Sequence, residues 1–297
     1  MTDPVIVGVD GSASSLEAVD AAAREARLRE APLRIVHAFG HAPGHTPGHR
    51  PAGGPPWSPA ARGLEPMVEG ALAVAEERAH AAAPGVAVTR SVVAGEALEV
   101  MEIESRSASL AVVGSRGLSG FSGLLLGSTA VHLAAHGRCP LMVVRGRPDP
   151  AGAVLLAVDG SEAGGAAVEF AFAEAALRGA PLVALHVWNT WSERAYEGPG
   201  DPINAMVVDI ERLREAEQRL LDETVAACGK NFPQVRVERR LERSRIRPAL
   251  IEASRDAQLL VVGARGHGGF TGLLLGSVSQ ALLHHAHCPV AVVRGQA

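Results

Sequence analysis

Short apolar runs alternate along the chain with longer segments rich in alanine and glutamate, and this order occurs twice. Most of the runs contain almost no polar residue, which is typical of strands buried on both faces of a sheet. In the first half the pattern predicts strands at 5–9, 33–38, 86–93, 110–113 and 141–144, and helices at 14–29, 65–82, 95–106 and 128–136. In the second half it predicts strands at 154–158, 182–187, 235–240, 259–262 and 290–293. Strands that alternate with helices predict parallel pairing.

A constant offset of 149 residues relates the two halves. It pairs Asp10 with Asp159, Gly114 with Gly263, Gly127 with Gly276, His37 with His186, Cys139 with Cys288 and Arg145 with Arg294. A repeat of this length is a whole domain and not a solenoid unit. We therefore predict an α/β fold of two tandem doubly wound domains, each an open five-stranded parallel sheet flanked by helices. The predicted domains are 1–147 and 148–297, with a linker at 148–150.

A glycine motif follows the fourth predicted strand of each half. Gly114-Ser115-Arg116-Gly117 is followed after nine residues by Gly127-Ser128-Thr129, and Gly263-Ala264-Arg265-Gly266 by Gly276-Ser277-Val278. Glycine lets backbone N–H groups approach a ligand, and a helix start leaves N–H groups unpaired. Ser128 and Ser277 stand where an N-cap residue is expected. The motif predicts a phosphate site in each domain, although a single glycine turn after a strand is often only a tight turn.

Other residues near these motifs allow two interpretations each. Asp10 and Asp159 end their strands either as N-caps or as carboxylates that accept from the ribose hydroxyls or the base of a nucleotide. Arg116 and Arg265 are either solvated charges or phosphate ligands. The apolar stretches within the motif contain Phe121 with 124–126, and Phe270 with 273–275. They form either a lid or partner surface, or a short helical turn anchored in the core.

Neither of the two histidine clusters is predicted to bind a metal ion. His41, His45 and His49 recur every four residues, but the prolines and glycines of 39–63 exclude a helix there and predict a surface loop. A second loop is predicted at 188–204. The group His284, His285, His287 and Cys288 lacks zinc-site spacing and is predicted to end a helix, where cations are favoured.

Composition narrows the class of function. The net charge is −4 and aromatic residues make up 3%, which argues against nucleic acid as a partner. Lys230 is the single lysine, and Thr224 occupies the position of the first glycine of a Walker A loop, so that loop is excluded. Three cysteines form no disulfide framework, and no signal peptide or membrane-spanning run is found, which predicts a cytoplasmic protein. No known catalytic motif nominates a base or nucleophile.

The combined motifs resemble the universal stress protein family over essentially the whole chain. They are Val-Asp-Gly-Ser after the first strand, Gly-x-x-Gly with the later Gly-Ser, Gly-Phe-x-Gly-Leu-Leu-Leu-Gly-Ser, and Cys-Pro before the last strand, as in actinobacterial tandem members. The resemblance implies ATP, with Mg²⁺ or Mn²⁺ as a candidate companion. It assigns Asp10, Ala38, Val113, Gly114, Arg116, Gly117, Gly127, Ser128 and Thr129 to the first site. It assigns Asp159, Val187, Val262, Gly263, Arg265, Gly266, Gly276, Ser277, Val278 and Ser279 to the second.

The resemblance also implies how the protein acts. It implies an ATP-binding regulator of the stress response that works through nucleotide-dependent conformation or a protein partner, and a homodimer of two-domain chains. Activity is expected to be absent or limited to slow ATP hydrolysis; a weak ATPase or nucleotidyl-transfer enzyme using the same glycine loops is the alternative. Ala130 replaces the hydroxyl present as Ser279, so the first site is expected to hold the terminal phosphate or its metal less well.

Overall fold

A computed structural model describes residues 2–39, 65–117, 126–189, 202–266 and 275–295. The chain divides into two compact units, Met1–Arg145 and Gly146–Ala297. Residues 148–150, predicted as a linker, belong to the second unit, where Asp149 accepts from the N–H groups of Gly152 at 2.9 Å and Ala151 at 3.0 Å. The histidines of the predicted surface loop and the phenylalanines of the glycine motifs lie outside the described residues: His41, His45, His49, Phe121 and Phe270.

Unit 1 contains five strands and four α-helices within the described residues. In chain order they are β1 Val5–Gly8, α1 Ala13–Leu28, β2 Leu33–Phe39, α2 Glu65–Ala82, β3 Val88–Ala94, α3 Ala97–Glu104, β4 Leu110–Gly114, α4 Ser128–His136 and β5 Leu141–Val144. All its strand pairs are parallel, in the order β3-β2-β1-β4-β5.

Unit 2 repeats this arrangement. Its elements are β6 Ala153–Val158, α5 Gly165–Arg178, β7 Leu182–Trp188, α6 Pro202–Gly229, β8 Val237–Arg243, α7 Ile246–Ala253, β9 Ala257–Gly263, α8 Ser277–His285 and β10 Val290–Val293. The strands pair in parallel in the order β8-β7-β6-β9-β10. The predicted fold class, two doubly wound five-stranded domains, is confirmed.

The strands form because their apolar residues are covered on both faces. Val5, Ile6 and Val7 of β1 are fully buried, and so are Leu110 and Val112 of the neighbouring β4. Alanine, valine and leucine make up most of this core, so the helices pack closely on the sheet. Because the strands are parallel, the central strands end at a common edge, where their carboxyl ends and the following loops meet.

Several element bounds differ from the predicted ones. Helix α3 is shorter than 95–106, because its last turn tightens into a 3₁₀ turn at Ser105–Ser107. Strand β8 runs to Arg243, beyond the predicted 240, since as an edge strand it exposes Arg and Glu side chains that weaken the apolar signal. The predicted loop 188–204 is shorter at both ends: Trp188 ends β7 and α6 begins at Pro202.

Candidate functional site

The two central strands of each sheet place the predicted site residues side by side. Strand β1 pairs with β4 in unit 1, and β6 pairs with β9 in unit 2. Asp10 follows β1 and Asp159 follows β6, so each carboxylate lies at the same sheet edge as a glycine motif. Adjacency of these strands favours a ligand role for the two aspartates over a purely local one.

Neither aspartate is the N-cap of the following helix. The N-cap of α1 is Ser12, whose Oγ accepts from the N–H of Ser15 at 3.2 Å. Asp10 instead accepts from the Ser12 N–H through Oδ1 at 2.9 Å. In unit 2, Asp159 Oδ1 accepts from both the N–H and the hydroxyl of Ser161, at 3.0 and 2.8 Å. The turn therefore fixes Oδ1 of each carboxylate and determines where Oδ2 lies.

Oδ2 of each carboxylate lies directly against the second glycine of the motif. A methyl group added at Gly117 would stand 2.7 Å from Asp10 Oδ2, and one added at Gly266 would stand 2.1 Å from Asp159 Oδ2. Both distances are below van der Waals contact, so any side chain at either glycine would require the carboxylate or the loop to move. The contact between aspartate and glycine loop is the same in both units.

The end of the loop returns to the strand before the next helix begins. The Gly127 N–H donates to Ser115 O at 2.8 Å, and the Gly276 N–H donates to Ala264 O at 2.8 Å. These two glycines are the N-caps of α4 and α8, so Ser128 and Ser277 are the first helical residues and the prediction that they are N-caps was wrong. Neither cap makes a side-chain hydrogen bond to the helix, so no capping side chain satisfies the first-turn N–H groups.

The remaining predicted residues lie along the same edge. Ala38 and Val187 stand near the ends of β2 and β7, and Val113 and Val262 are the buried residues just before the motif glycines. Arg116 and Arg265 are exposed on the loop, and Thr129 and Val278 lie in the first turns of α4 and α8.

Ser279 makes a hydrogen bond within the protein. Its side chain is buried, with 3% of the residue exposed, and the hydroxyl donates to Gly263 O at 2.7 Å. The hydroxyl therefore connects α8 to the end of β9. Its contact with a phosphate or a metal ion stays a prediction.

Two histidines near the site were recognised only as a repeated pair and not as site residues. His37 of β2 directs Nδ1 at Val9 O, 2.7 Å away, and His186 of β7 directs Nδ1 at Val158 O, 2.8 Å away. Each carbonyl belongs to the residue immediately before the site aspartate. The constant offset contained this signal, because both histidines lie two residues before the end of the strand next to the one that the aspartate follows.

Metal, thiol and membrane features are limited within the described ranges. No group of three His, Cys, Asp or Glu side chains there could hold a metal ion, and no described helix is both long and apolar enough to cross a bilayer. The three cysteines form no disulfide, and burial raises the pKa of the Cys139 thiol to about 12. His284 and His285 lie in the last turn of α8, as predicted.

Comparison with known proteins identifies the family. The model of the universal stress protein family matches residues 1–145 and again 151–294. A universal stress protein of Mycolicibacterium smegmatis is 37% identical over 98% of this chain and 96% of its own length. Universal stress protein Rv2623 of Mycobacterium tuberculosis is 34% identical, with the same shares of the two chains covered.

Solved structures agree at the level of the fold. The crystal structure of a universal stress protein from Archaeoglobus fulgidus covers 99% of both chains with a TM-score of 0.66 and 20% identity. Two family domains in one chain, each with the glycine loop seated on its aspartate, lead to one conclusion: this chain belongs to the universal stress protein family, as a tandem two-domain member.

Proposed function

We propose that each unit binds ATP at the carboxyl edge of its sheet, and that the protein regulates a stress response through the conformation or partner binding that the nucleotide controls. The observation that carries the proposal is the contact between Asp10 and Gly117, repeated between Asp159 and Gly266. It brings a carboxylate and a glycine-rich phosphate loop within one ligand's length of each other. The ribose and phosphate groups of one nucleotide can therefore contact both.

Different residues contact different parts of the ATP molecule. A carboxylate accepts hydrogen bonds from ribose hydroxyls or the base, which is the role of Asp10 and Asp159. Backbone groups beside Ala38, Val113, Val187 and Val262 flank the adenosine. Phosphate oxygens accept from N–H groups of the glycine loop and of the first helical turn, where the helix dipole favours an anion. Arg116 and Arg265 are exposed on that loop and can add charge-assisted hydrogen bonds.

The chemistry of the loop fits ATP without a Walker lysine. A divalent ion such as Mg²⁺ or Mn²⁺ would be carried mainly by the phosphate oxygens, since the described residues include no three-ligand cluster. The homodimer, the protein partner and the cytoplasmic location stay predictions.

The first test is the nucleotide content of the purified protein. Acid-denatured protein is expected to release close to two adenine nucleotides per chain, measured by chromatography and mass spectrometry. Asp10→Ala and Asp159→Ala should each remove about half, and the double variant should remove nearly all. Asp3→Ala is the matched control, because Asp3 is exposed at the opposite end of β1.

Stability measurements complete the test. ATP at about a hundred times its Kd should stabilise the folded protein by about 2.7 kcal/mol, and the double variant should lose this effect. A protein that carries no nucleotide and gains no stability at millimolar ATP would contradict the proposal. Steady ATP turnover well above that of a Gly117→Val and Gly266→Val variant would instead indicate the enzymatic alternative.

A further inference from the structure

His186 is held between two acceptors beside the second site. Its Nδ1 lies 2.8 Å from Val158 O, and its Nε2 lies 2.8 Å from the Glu217 carboxylate oxygen Oε2. The residue is buried, with 6% exposed. Val158 immediately precedes Asp159, so a chain of hydrogen bonds runs from α6 through His186 to the backbone that carries the site aspartate.

The two contacts use both ring nitrogens. A carbonyl oxygen can only accept, so Nδ1 donates to Val158 O. The other hydrogen bond joins Nε2 to the Glu217 carboxylate, and an apolar side chain in place of that carboxylate would leave the buried Nε2 without this partner.

Unit 1 has the histidine without the carboxylate. His37 makes the same Nδ1 contact, 2.7 Å from Val9 O. The offset of 149 pairs Glu217 with Val68 of α2, which is 4% exposed. Among residues 2–39, 65–117 and 126–145, no side chain forms a hydrogen bond or ion pair with His37. The link from the long helix to the site strand is thus present in unit 2 and missing from the described part of unit 1.

We propose that the His186–Glu217 pair is a strut that fixes α6 to the end of β6 and holds Asp159 in its binding orientation, so that the site of unit 2 binds ATP more tightly than the site of unit 1. This inference rests on the proposed function. His186 and Glu217 are positioning residues: they act through the Val158 carbonyl and not by contact with the nucleotide. Preorganisation raises affinity because less order has to be created on binding.

The experiment measures each site separately by titration calorimetry with ATP. Asp10→Ala leaves the unit 2 site, and Asp159→Ala leaves the unit 1 site. The unit 2 site is expected to have a Kd about tenfold lower, the size that one buried hydrogen bond gives. In the Asp10→Ala background, Glu217→Val should raise the Kd about tenfold, while Glu217→Gln should change it less than about twofold.

Glutamine is the discriminating variant. Its amide N–H can donate to Nε2, which keeps both hydrogen bonds of the ring while removing the carboxylate charge. Imidazole ¹⁵N NMR should show that Nε2 is hydrogen-bonded in the parent protein and in Glu217→Gln but not in Glu217→Val. Glu215→Val is the matched control on the same helix, since Glu215 is exposed.

The possible outcomes separate the two proposals. If Glu217→Val leaves the Kd unchanged, or lowers only the unfolding midpoint, the strut has no part in binding and the inference is overturned. Equal weakening by Glu217→Gln and Glu217→Val overturns the hydrogen-bonded strut, as does an equal Kd at the two parent sites. If neither background binds ATP, the proposed function itself fails and this inference falls with it.

Discussion

The two units build the same glycine loop but hold it in place with different hydroxyl groups. In unit 1 the Ser14 Oγ accepts from the Arg116 N–H at 3.3 Å, and Gly114 packs so closely on Ser14 that an added methyl group would stand 2.5 Å from that oxygen. In unit 2 the offset places Ala163 at the position of Ser14. There the Ser279 hydroxyl donates to Gly263 O at 2.7 Å, whereas unit 1 has Ala130.

This exchange shows which part of the site is constrained. A serine from the helix after β1 supports the loop in one unit, and a serine from the helix after the loop supports it in the other. The contact of aspartate with glycine is present in both units. We infer that the placement of the loop backbone is what both units have to preserve, and that the supporting hydroxyl can come from either side.

Helix α2 of unit 1 and its counterpart α6 of unit 2 also form different side-chain contacts. In unit 1, Arg78 of α2 forms an ion pair with Asp20 of α1, with Nε 2.9 Å from Oδ1. The offset places Ala227 and Glu169 at these positions in unit 2, where Glu217 binds His186 instead. Residue 78 is ten positions beyond residue 68, about 15 Å along a helix. The contact that holds the helix is therefore distant from the site in unit 1 and beside the site in unit 2.

The largest expected effect comes from the glycine that touches the carboxylate. Gly266→Ala should weaken ATP binding at the second site at least a hundredfold, because the new methyl group would stand 2.1 Å from Asp159 Oδ2. Gly117→Ala should weaken the first site by about tenfold, the cost of losing roughly one strong contact, since its clearance of 2.7 Å is larger. The measurement is the Kd for ATP in the Asp10→Ala and Asp159→Ala backgrounds.

Two other glycines provide the controls. An alanine at Gly165 or Gly70 would meet no atom within 4 Å, so neither change should alter ATP binding. Gly70→Ala should also stabilise α2 by about 0.5–1 kcal/mol, because glycine is a poor helix former. A Gly266→Ala protein that binds ATP as tightly as its parent would show that the contact between loop and carboxylate does not shape the site.

The sequence was sufficient to place this contact in outline. Buried apolar runs predicted the order of strands and helices, and doubly wound topology brought Asp10 and Gly117 to one sheet edge. The repeat then gave the same result for Asp159 and Gly266. Periodicity and spacing carry this information because the handedness and order of parallel strands leave few alternatives.

The details of the loop could not be obtained in the same way. Ser128 was predicted as an N-cap, but Gly127 takes that position because its own N–H closes the loop on Ser115 O. The partner of the Ser279 hydroxyl depends on the angle at which α8 meets β9, which no pattern of residues encodes. The pairing of His186 with Glu217 likewise depends on how a helix 28 residues long is rotated about its axis.

The next largest expected effect is on stability, and it comes from the two serine hydroxyls that support the glycine loops. Ser279→Ala should destabilise unit 2 by about 1–2 kcal/mol, because it removes the donor from a partly buried carbonyl. Ser14→Ala should cost less than about 0.5 kcal/mol, since its contact is long and exposed. Hydrogen exchange followed by mass spectrometry can assign each loss to peptides covering β9 or β4.

A serine shared by both units calibrates this measurement. Ser105 donates to Glu102 O and Ser254 to Ile251 O, each at 2.6 Å, and each also accepts a backbone N–H. Ser105→Ala and Ser254→Ala should therefore cost the same. Equal costs for Ser14→Ala and Ser279→Ala would remove the asymmetry that we assign to the two loops.

The smallest expected difference is a dependence on pH that only unit 1 has at this position. His132 of α4 lies 2.9 Å from the Glu102 carboxylate of α3, and this hydrogen bond lowers the pKa of Glu102 below its ordinary value of 4.5. Unit 2 has Ile251 and Ala281 at the corresponding positions. Because the folded pKa is the lower one, the contribution to stability is present above pH 4.5 and is lost as the pH falls through the folded pKa.

Urea unfolding of the parent and of Glu102→Gln at about pH 6 and about pH 3 measures this contribution. The variant should be less stable by a few tenths of a kcal/mol at the higher pH, since the pair is partly exposed to solvent, and the gap should close at the lower pH. Glu99→Gln on the exposed side of α3 should show no such closing. A gap that persists at low pH would mean that Glu102 stabilises unit 1 through packing and not through its charge.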